Sequence, residues 1–517
     1  MENKAVRKVV IVGGGTAGWL TAGVLAARLR SQSGHAVSVT LVESPAVKTV
    51  GVGEGTWPSM RRTLKAIGVS ETELIRRCNA TFKQGAKFAR WVTGSAQDHY
   101  YHPLIQPNGF HDFNLAPYWL KQSEQASFSA AVCPQDALCD AGLAPKKITT
   151  PEYAGIANYA YHLDAGAFAD FLREHCVTRL DVLHRQAHVS EVRSDDQGDI
   201  VGVETNQGLI AGDFFIDCTG SQSLLLGQQL QVPFVCKKHQ LFVDQALAVH
   251  VPYDSDDAPV ASHTVSTAQS AGWIWDIGLQ NRRGVGHVYS SAHQSPEMAE
   301  RELMDYIAAS GASVENLSPK HIAIHPGHRA QFWKNNCVAI GMSAGFLEPL
   351  EASAILLIEI AAGYIADQFP ASRFAMEQLA RKYNDTFLYR WERIIEFLKL
   401  HYVLSQRSDT AFWRDNRNAQ SMPESLQQWL SYWREQSPWH GDFDRAVEVF
   451  PAASYQYVLY GMGFETRTDW PPVSEQSLAR ARTLFQQAQS DTNQLLRGLP
   501  DHRTLLNKIK HYGLQAV

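Results

Sequence analysis

The stretch VVIVGGGTAGW, residues 9–19, sets Gly13, Gly15 and Gly18 directly after a β-branched run and at the start of a helical pattern. That order constrains the chain more than any other feature, because a strand, a glycine turn and a helix open a βαβ unit. Lys8 to Val12 reads as the strand, Trp19 to Arg30 as the helix and Val37 to Val42 as a second strand. Gly13 permits the tight turn, Gly15 lets the main chain approach a pyrophosphate, and Gly18 lets the helix pack closely. The unpaired N–H groups of the turn, with Thr16 and Ala17 in it, point at phosphates. Glu43 ends the second strand, where its carboxylate can accept from ribose hydroxyls and would repel a 2′-phosphate. An adenine dinucleotide lacking that phosphate is the expected ligand.

Two later stretches bear on which dinucleotide. FFIDCTG, 214–220, is an apolar strand ending in a turn at Gly220, and AIGMSAGF, 339–346, is another buried strand delivering a glycine turn around Met342. Three such turns in this order favour FAD. No second GxGxxG follows a strand, so no site for a bound NAD(P)H is readable and electrons must arrive another way.

Elsewhere the pattern is coarser. Residues 61 to about 150 mix short helices and loops, and the segment after 175 reads as a β-meander that ends in the buried strand Phe214 to Asp217. Strand-like segments continue to about 291, and after Pro370 the chain turns to long amphipathic stretches. The expected architecture is therefore α/β: a two-dinucleotide-fold, Rossmann-type FAD-binding domain with mixed sheets over 1–370, and a mainly helical domain over 371–517 covering the substrate site.

Composition excludes several classes. With 517 residues, 45% of them apolar, the chain can bury a large core. A formal charge of −5 gives no basic field for nucleic acid or an acidic membrane. Seven cysteines without a CxxC pair are not a disulfide framework, and no metal-ligand spacing is present. The N-terminus runs straight into a strand and no run of 18 apolar residues follows, so a cytoplasmic protein is expected.

The stretch NATFKQGAKFARW, 79–91, holds Lys83 and Lys87, which share a face at the two-residue period of a strand and also at i,i+4 of a helix. By itself the pattern leaves Lys83 either a solvated or snorkelling charge or a functional amine.

At this point the chain resembles the flavin-dependent tryptophan halogenase family. VVIVGGGTAGW is similar to the family's opening; GVGEGTWPSM, 51–60, resembles its flavin-contacting strap, with Val52, Gly53 and Glu54; FKQGAKF, 82–88, carries its lysine; GWIWDIGLQNRRGVGHVYSS, 272–291, resembles its tryptophan-pair segment; and GFLEPLEASAI, 345–355, its catalytic glutamate segment. YAYHLDA and FLKLHY extend the likeness toward the C-terminus. The resemblance implies that reduced FAD from a separate flavin reductase, O2 and halide give hypohalous acid, which reaches Lys83 beside a small aromatic substrate. It further implies that Glu351 answers positive charge or takes a proton as the ring loses its hydrogen, that Val189 counts among the cofactor contacts, and that His102, Trp273 and Trp275 lie on the substrate side. A homodimer is compatible with it. Glu348 and Lys87 are expected to be structural.

Two departures stand out. Where the family commonly has Ser-Thr-Gly after the glutamate, with main-chain amides that bind halide, this chain has Ala352, Ser353 and Ala354; the donors of Ser353 and Ala354 survive, and bromide is expected to serve at least as well as chloride. The family's Ile-Pro after the tryptophan pair reads Ile277-Gly278, which is expected to loosen that segment. An indole-like or other electron-rich aromatic is the expected substrate, and a flavin-dependent aromatic hydroxylase is the rival activity.

Overall fold

The computed structural model describes residues 5–32, 37–47, 53–443, 445, 448–469 and 474–516. The chain forms two compact units, each drawn from three segments: Met1–Ala80, Leu163–Lys237 and His325–Trp391 in the first, and Thr81–His162, Lys238–Ile324 and Glu392–Val517 in the second. This partition cuts the chain differently from the division at residue 370, which marks a change of secondary structure; the boundary at Trp391 falls inside the helix Arg373–Leu404.

The first unit is built on a six-stranded sheet in the order Trp333–Lys334, Cys337–Ala339, Phe214–Asp217, Lys8–Val12, Ser38–Glu43, Leu183–Gln186. All its pairs are parallel except that of the edge strand Trp333–Lys334. Ile11, Leu41 and Ile216 are completely buried at its centre, as a sheet covered on both faces requires. The helix after the glycine turn spans Thr16–Gln32, starting three residues earlier than its periodicity predicts, because the turn itself supplies the first helical residues. The expected meander is a separate three-stranded antiparallel sheet of Val189–Ser194, Ile200–Thr205 and Gly208–Ala211. Phe214–Asp217 does not belong to it. All four residues of that strand are buried, so it takes the centre of the parallel sheet, whereas the meander strands carry exposed positions.

The second unit carries a seven-stranded sheet in the order Lys320–Ala323, Gln245–Pro252, Arg282–Tyr289, Gly272–Gly278, Thr264–Ala268, Gly85–Ala89, His99–Pro103. The helix Pro296–Ala309 packs Ala299, Leu303 and Ile307 on Leu247, Ile274 and Val285 of that sheet. Helices Ala452–Gly461, Glu475–Gly498 and His502–Tyr512 belong to the same unit. All seven cysteines are free thiols. Among the described residues, no helix is long and apolar enough to cross a membrane and no cluster of His, Cys, Asp or Glu could hold a metal.

Candidate active site

In the first unit the glycine turn is shaped by sterics. Gly13 has φ +114°, and a Cβ there would lie 2.1 Å from the carbonyl oxygen of Cys218; one on Gly18 would lie 1.9 Å from that of Gly13. Gly15 differs, for a Cβ added to it meets nothing within 4 Å. Open space over Gly15, at the head of a helix with no acidic residue in its first turn, is the cradle a pyrophosphate needs. Residues 13–18 thus fit the phosphates of a dinucleotide. The late turn meets the same place: Gly341, φ +73°, approaches so near that a Cβ would lie 2.7 Å from the Ala17 methyl. Next to it Met342 is half exposed.

Glu43 lies over the turn, where its carboxylate would collide with any Cβ on Gly14, and its other oxygen is 2.7 Å from His184 Nε2. Sequence reading missed His184, whose ring also meets Trp19 edge-on; it comes from the neighbouring parallel strand, and nothing local marks it. Past that strand Ala187 donates its N–H to the Glu43 carbonyl, so Val189 begins its sheet two residues beyond the Glu43 edge. Asp217 anchors the middle turn by accepting from Thr219, Leu225 and Leu226 main-chain N–H groups at 3.0, 2.9 and 2.8 Å. Gly220 there adopts φ +67°.

Of the strap residues, Val52 lies outside the described ones. Gly53 and Glu54 form the short strand Gly53–Gly55. Glu54 is half-buried by surface, and the desolvation of its carboxyl pushes it up to about 7.

The chain after the strap is tied to the glutamate segment. Trp57 Nε1 donates to the Glu351 carbonyl at 2.9 Å, and Ser59 and Thr63 donate to the Glu359 carboxylate at 3.2 and 2.7 Å. Burial pushes Glu359 up to about 7 despite these bonds and Arg62. Glu351 and Glu348 are buried. Ala352 is left-handed, φ 51°, and caps the helix Ser353–Asp367 without any side-chain hydrogen bond. Ser353 and Ala354 are the first two residues of that helix, where N–H groups find no partner within the helix itself.

In the second unit Lys83 is 4% exposed, at the end of the strand Thr81–Lys83. Both readings of the lysine pair are superseded: Gln84 separates that strand from Gly85–Ala89, so the two lysines stand in different sheets. Lys87 is bonded to Asp140 at 2.8 Å and lies over the Tyr101 ring. The lysine strand pairs antiparallel with the strand bearing His162, Phe82 opposite Tyr161 and Lys83 opposite Ala160. His162 is completely buried, its Nε2 2.8 Å from Thr264 Oγ1 and its Nδ1 without a hydrogen-bond partner. Burial, then the nearby Lys83 charge, holds its pKa well below the usual value, so it is neutral. His263 and His502 are held down to about 4, chiefly by burial. The motif YAYHLDA contains His162, but no pattern in the sequence assigned that histidine.

His102 is buried, 3.0 Å from Ser454 Oγ, with its ring near Phe397 and Tyr457. Trp273 and Trp275, two apart on one strand, lie with ring centroids 6.4 Å apart. Gly286, opposite Trp275 in the ladder, leaves room for its indole, since a Cβ would lie 2.1 Å from that ring. The segment is not loosened at Gly278. Its pairing with Arg283 completes the ladder, Thr81 Oγ1 donates to its carbonyl at 2.6 Å, and Asp276 is bridged to Arg283 and accepts from Tyr306.

Comparison with known proteins agrees with this geometry. A family profile described as tryptophan halogenase matches residues 8–477. The tryptophan 6-halogenase SttH of Streptomyces toxytricini is 38% identical over 485 residues, 90% of either chain. The solved structure of a tryptophan halogenase from Shewanella frigidimarina superposes with a TM-score of 0.96 at 48% identity, over 99% of both chains. That of Xcc4156, a flavin-dependent halogenase from Xanthomonas campestris, gives 0.86 at 31% identity, over 99% of both. With a family profile over most of its length and relatives of this identity and coverage, the chain belongs to the tryptophan halogenase family and is a flavin-dependent halogenase.

Proposed function

We propose that the protein takes reduced FAD from a separate flavin reductase, with O2 and bromide or chloride, and halogenates an indole-like or other electron-rich aromatic through Lys83. Bound reduced FAD would supply the electrons that, with O2 and halide, yield hypohalous acid. Gly13, Gly15, Thr16, Ala17 and Gly18 hold its phosphates, Glu43 its ribose, and the strap and the turns at Gly220 and Met342 border it. The amides of Ser353 and Ala354, at the positive end of a 15-residue helix, hold the halide.

Lys83 donates hydrogen bonds to the hypohalous acid, or carries the halogen on its amine, beside the substrate. From the hydrogen-bonded acid the aromatic carbon bonds to the halogen as the halogen–oxygen bond breaks, and the oxygen leaves as water with a proton from Lys83. From the haloamine, whose formation already released water, the nitrogen–halogen bond breaks instead. In both cases the proton lost by the ring restores the lysine by way of Glu351. Glu351 stabilises the positive ring and accepts its proton. Trp273 and Trp275 wall the substrate, and His102 contacts it. Tryptophan, which the relatives' names carry, is the first substrate to try. The observation that supports this reading is the place of Lys83, 4% exposed at the end of a three-residue strand, within the motif FKQGAKF that resembles the family's lysine segment.

The test is a screen of electron-rich aromatics with reduced FAD, O2 and each halide, read by mass spectrometry. A halogen isotope pattern is expected. A product gaining one oxygen, independent of halide, would instead establish the hydroxylase. Equal concentrations of both halides should give at least as much brominated as chlorinated product; chlorinated product in excess refutes the bromide preference.

A further inference from the structure

Three residues in an edge strand cannot be fixed by one ladder alone. Thr81–Lys83 lies at the edge of its sheet, paired with Ala160–Asp164. The N–H of Phe82, the residue before Lys83, is taken by the Nε2 of His502 at 3.1 Å, an imidazole 420 residues further along. On the other side of Lys83 the N–H of Gln84 reaches the Ser262 carbonyl at 2.7 Å. The lysine Cα is therefore anchored between two main-chain amides, one of them held by a side chain.

That side chain is itself immobilised. His502 is completely buried, and its Nδ1–H donates to the Val260 carbonyl at 3.0 Å, which fixes the tautomer with Nε2 as acceptor. Its own N–H bonds the Gly142 carbonyl at 2.9 Å. The next residue, Arg503, donates to the carbonyls of Ala258 and Gln280, both at 2.7 Å. Asp501 before it caps the helix through the Thr504 N–H. An apolar side chain could fill this seat without desolvating an imidazole, but the Phe82 N–H would then be orphaned.

We propose that His502, at the head of the C-terminal helix, is a positioning residue for Lys83: by accepting the Phe82 N–H it fixes the strand that presents the amine, and halogen transfer depends on that acceptor. This rests on the assignment of Lys83 above. The charged and titratable groups facing the imidazole are Arg503 on its own helix, Asp501 at the helix cap, His162 on the strand Ala160–Asp164 and His263 just before the strand Thr264–Ala268.

Two substitutions separate positioning from bulk. Gln at 502 can take the Phe82 N–H with Oε1, whereas Asn can still donate to Val260 but is too short to reach that amide. With the intact enzyme, reduced FAD, O2, bromide and indole as the probe, His502→Gln should keep product per reduced FAD within about twofold of the parent, and His502→Asn should lose on the order of tenfold. Flavin oxidation should match between the two variants, while in the Asn variant alone the melting temperature should fall and amide exchange at Phe82 should quicken, because its Phe82 N–H is left without an acceptor. Equal yields for Gln and Asn overturn the proposal, as does unchanged exchange at Phe82. Lys83→Ala runs alongside: if it still halogenates, the lysine assignment is wrong, whereas if it is inactive while Asn and Gln behave alike, only the positioning role falls. Should the Asn variant not fold, Gln carries the test, since a parental yield supports the role and a loss at unchanged melting temperature overturns it.

Discussion

The two units hold their candidate sites in opposite ways. In the first, on the proposed reading, main-chain N–H groups at helix starts hold the ligands, and glycine sterics set the shape: Gly13 and Gly18 let backbones touch, and Gly341 makes room for the Ala17 methyl. In the second, the proposed reacting group is a side chain, Lys83, and other buried polar side chains hold the main chain around it: Thr81 to Gly278, Gln84 to Leu143, His502 to Phe82. Anions of any identity suit the first arrangement, because amides read charge. An amine that must meet one ring carbon needs the second, because misplacement by an ångström costs rate.

The largest effect that would break this contrast belongs to the first unit. Gly13→Val forces a side chain against the Cys218 carbonyl at a left-handed φ, and FAD binding, measured by flavin fluorescence, should be lost with about 3 kcal/mol of stability. A variant that binds FAD normally would show that sterics do not shape the cradle. Next in size, Glu351→Gln should lower the halogenation rate on the order of a hundredfold while the melting temperature and the oxidation of reduced FAD stay unchanged. Loss of flavin oxidation instead would place Glu351 with the cofactor.

Titration sharpens the contrast further. His162, His263 and His502 are held below their unfolded value of 6.5, two of them at about 4, so the unfolded chain binds protons first as pH falls and the second unit loses stability between 6.5 and 4. Glu359 is raised from 4.5 to about 7, so the first unit loses stability as pH rises from 4.5 to 7. Hydrogen exchange followed over pH 7 to 4 should show protection falling around Thr81–His162, worth about 2 kcal/mol, while it holds or rises around Ser59–Ala66. Parallel loss in both would contradict the opposed signs. Smallest is Trp57→Phe, which removes the donor to the Glu351 carbonyl and should cost about 1 kcal/mol in chemical denaturation.

How much of this was legible follows from distance along the chain. The glycine turn is local: six residues after a strand carry the whole steric requirement, and Glu43 follows one helix later. Lys83 and Glu351 were found through motif likeness, but the local geometry of the lysine was not, since a three-residue strand broken by Gln84 has no period to read. The buried helpers were invisible for a plainer reason. His184 meets Glu43 from 141 residues away and His502 meets Phe82 from 420, and a lone histidine in sequence does not announce its partner. The strand Phe214–Asp217 was recognised and joined to the wrong sheet, because its three apolar residues before Asp217 state burial on both faces but not which strands flank it.

The separation of oxidation from placement is tested most directly in Lys83→Ala by following, in one reaction with bromide and an accepted aromatic, both the oxidation of reduced FAD and the brominated product. Oxidation at the parental rate with no brominated product is the expected result. Bromination near the parental level would contradict it, and so would a coincident loss of flavin oxidation.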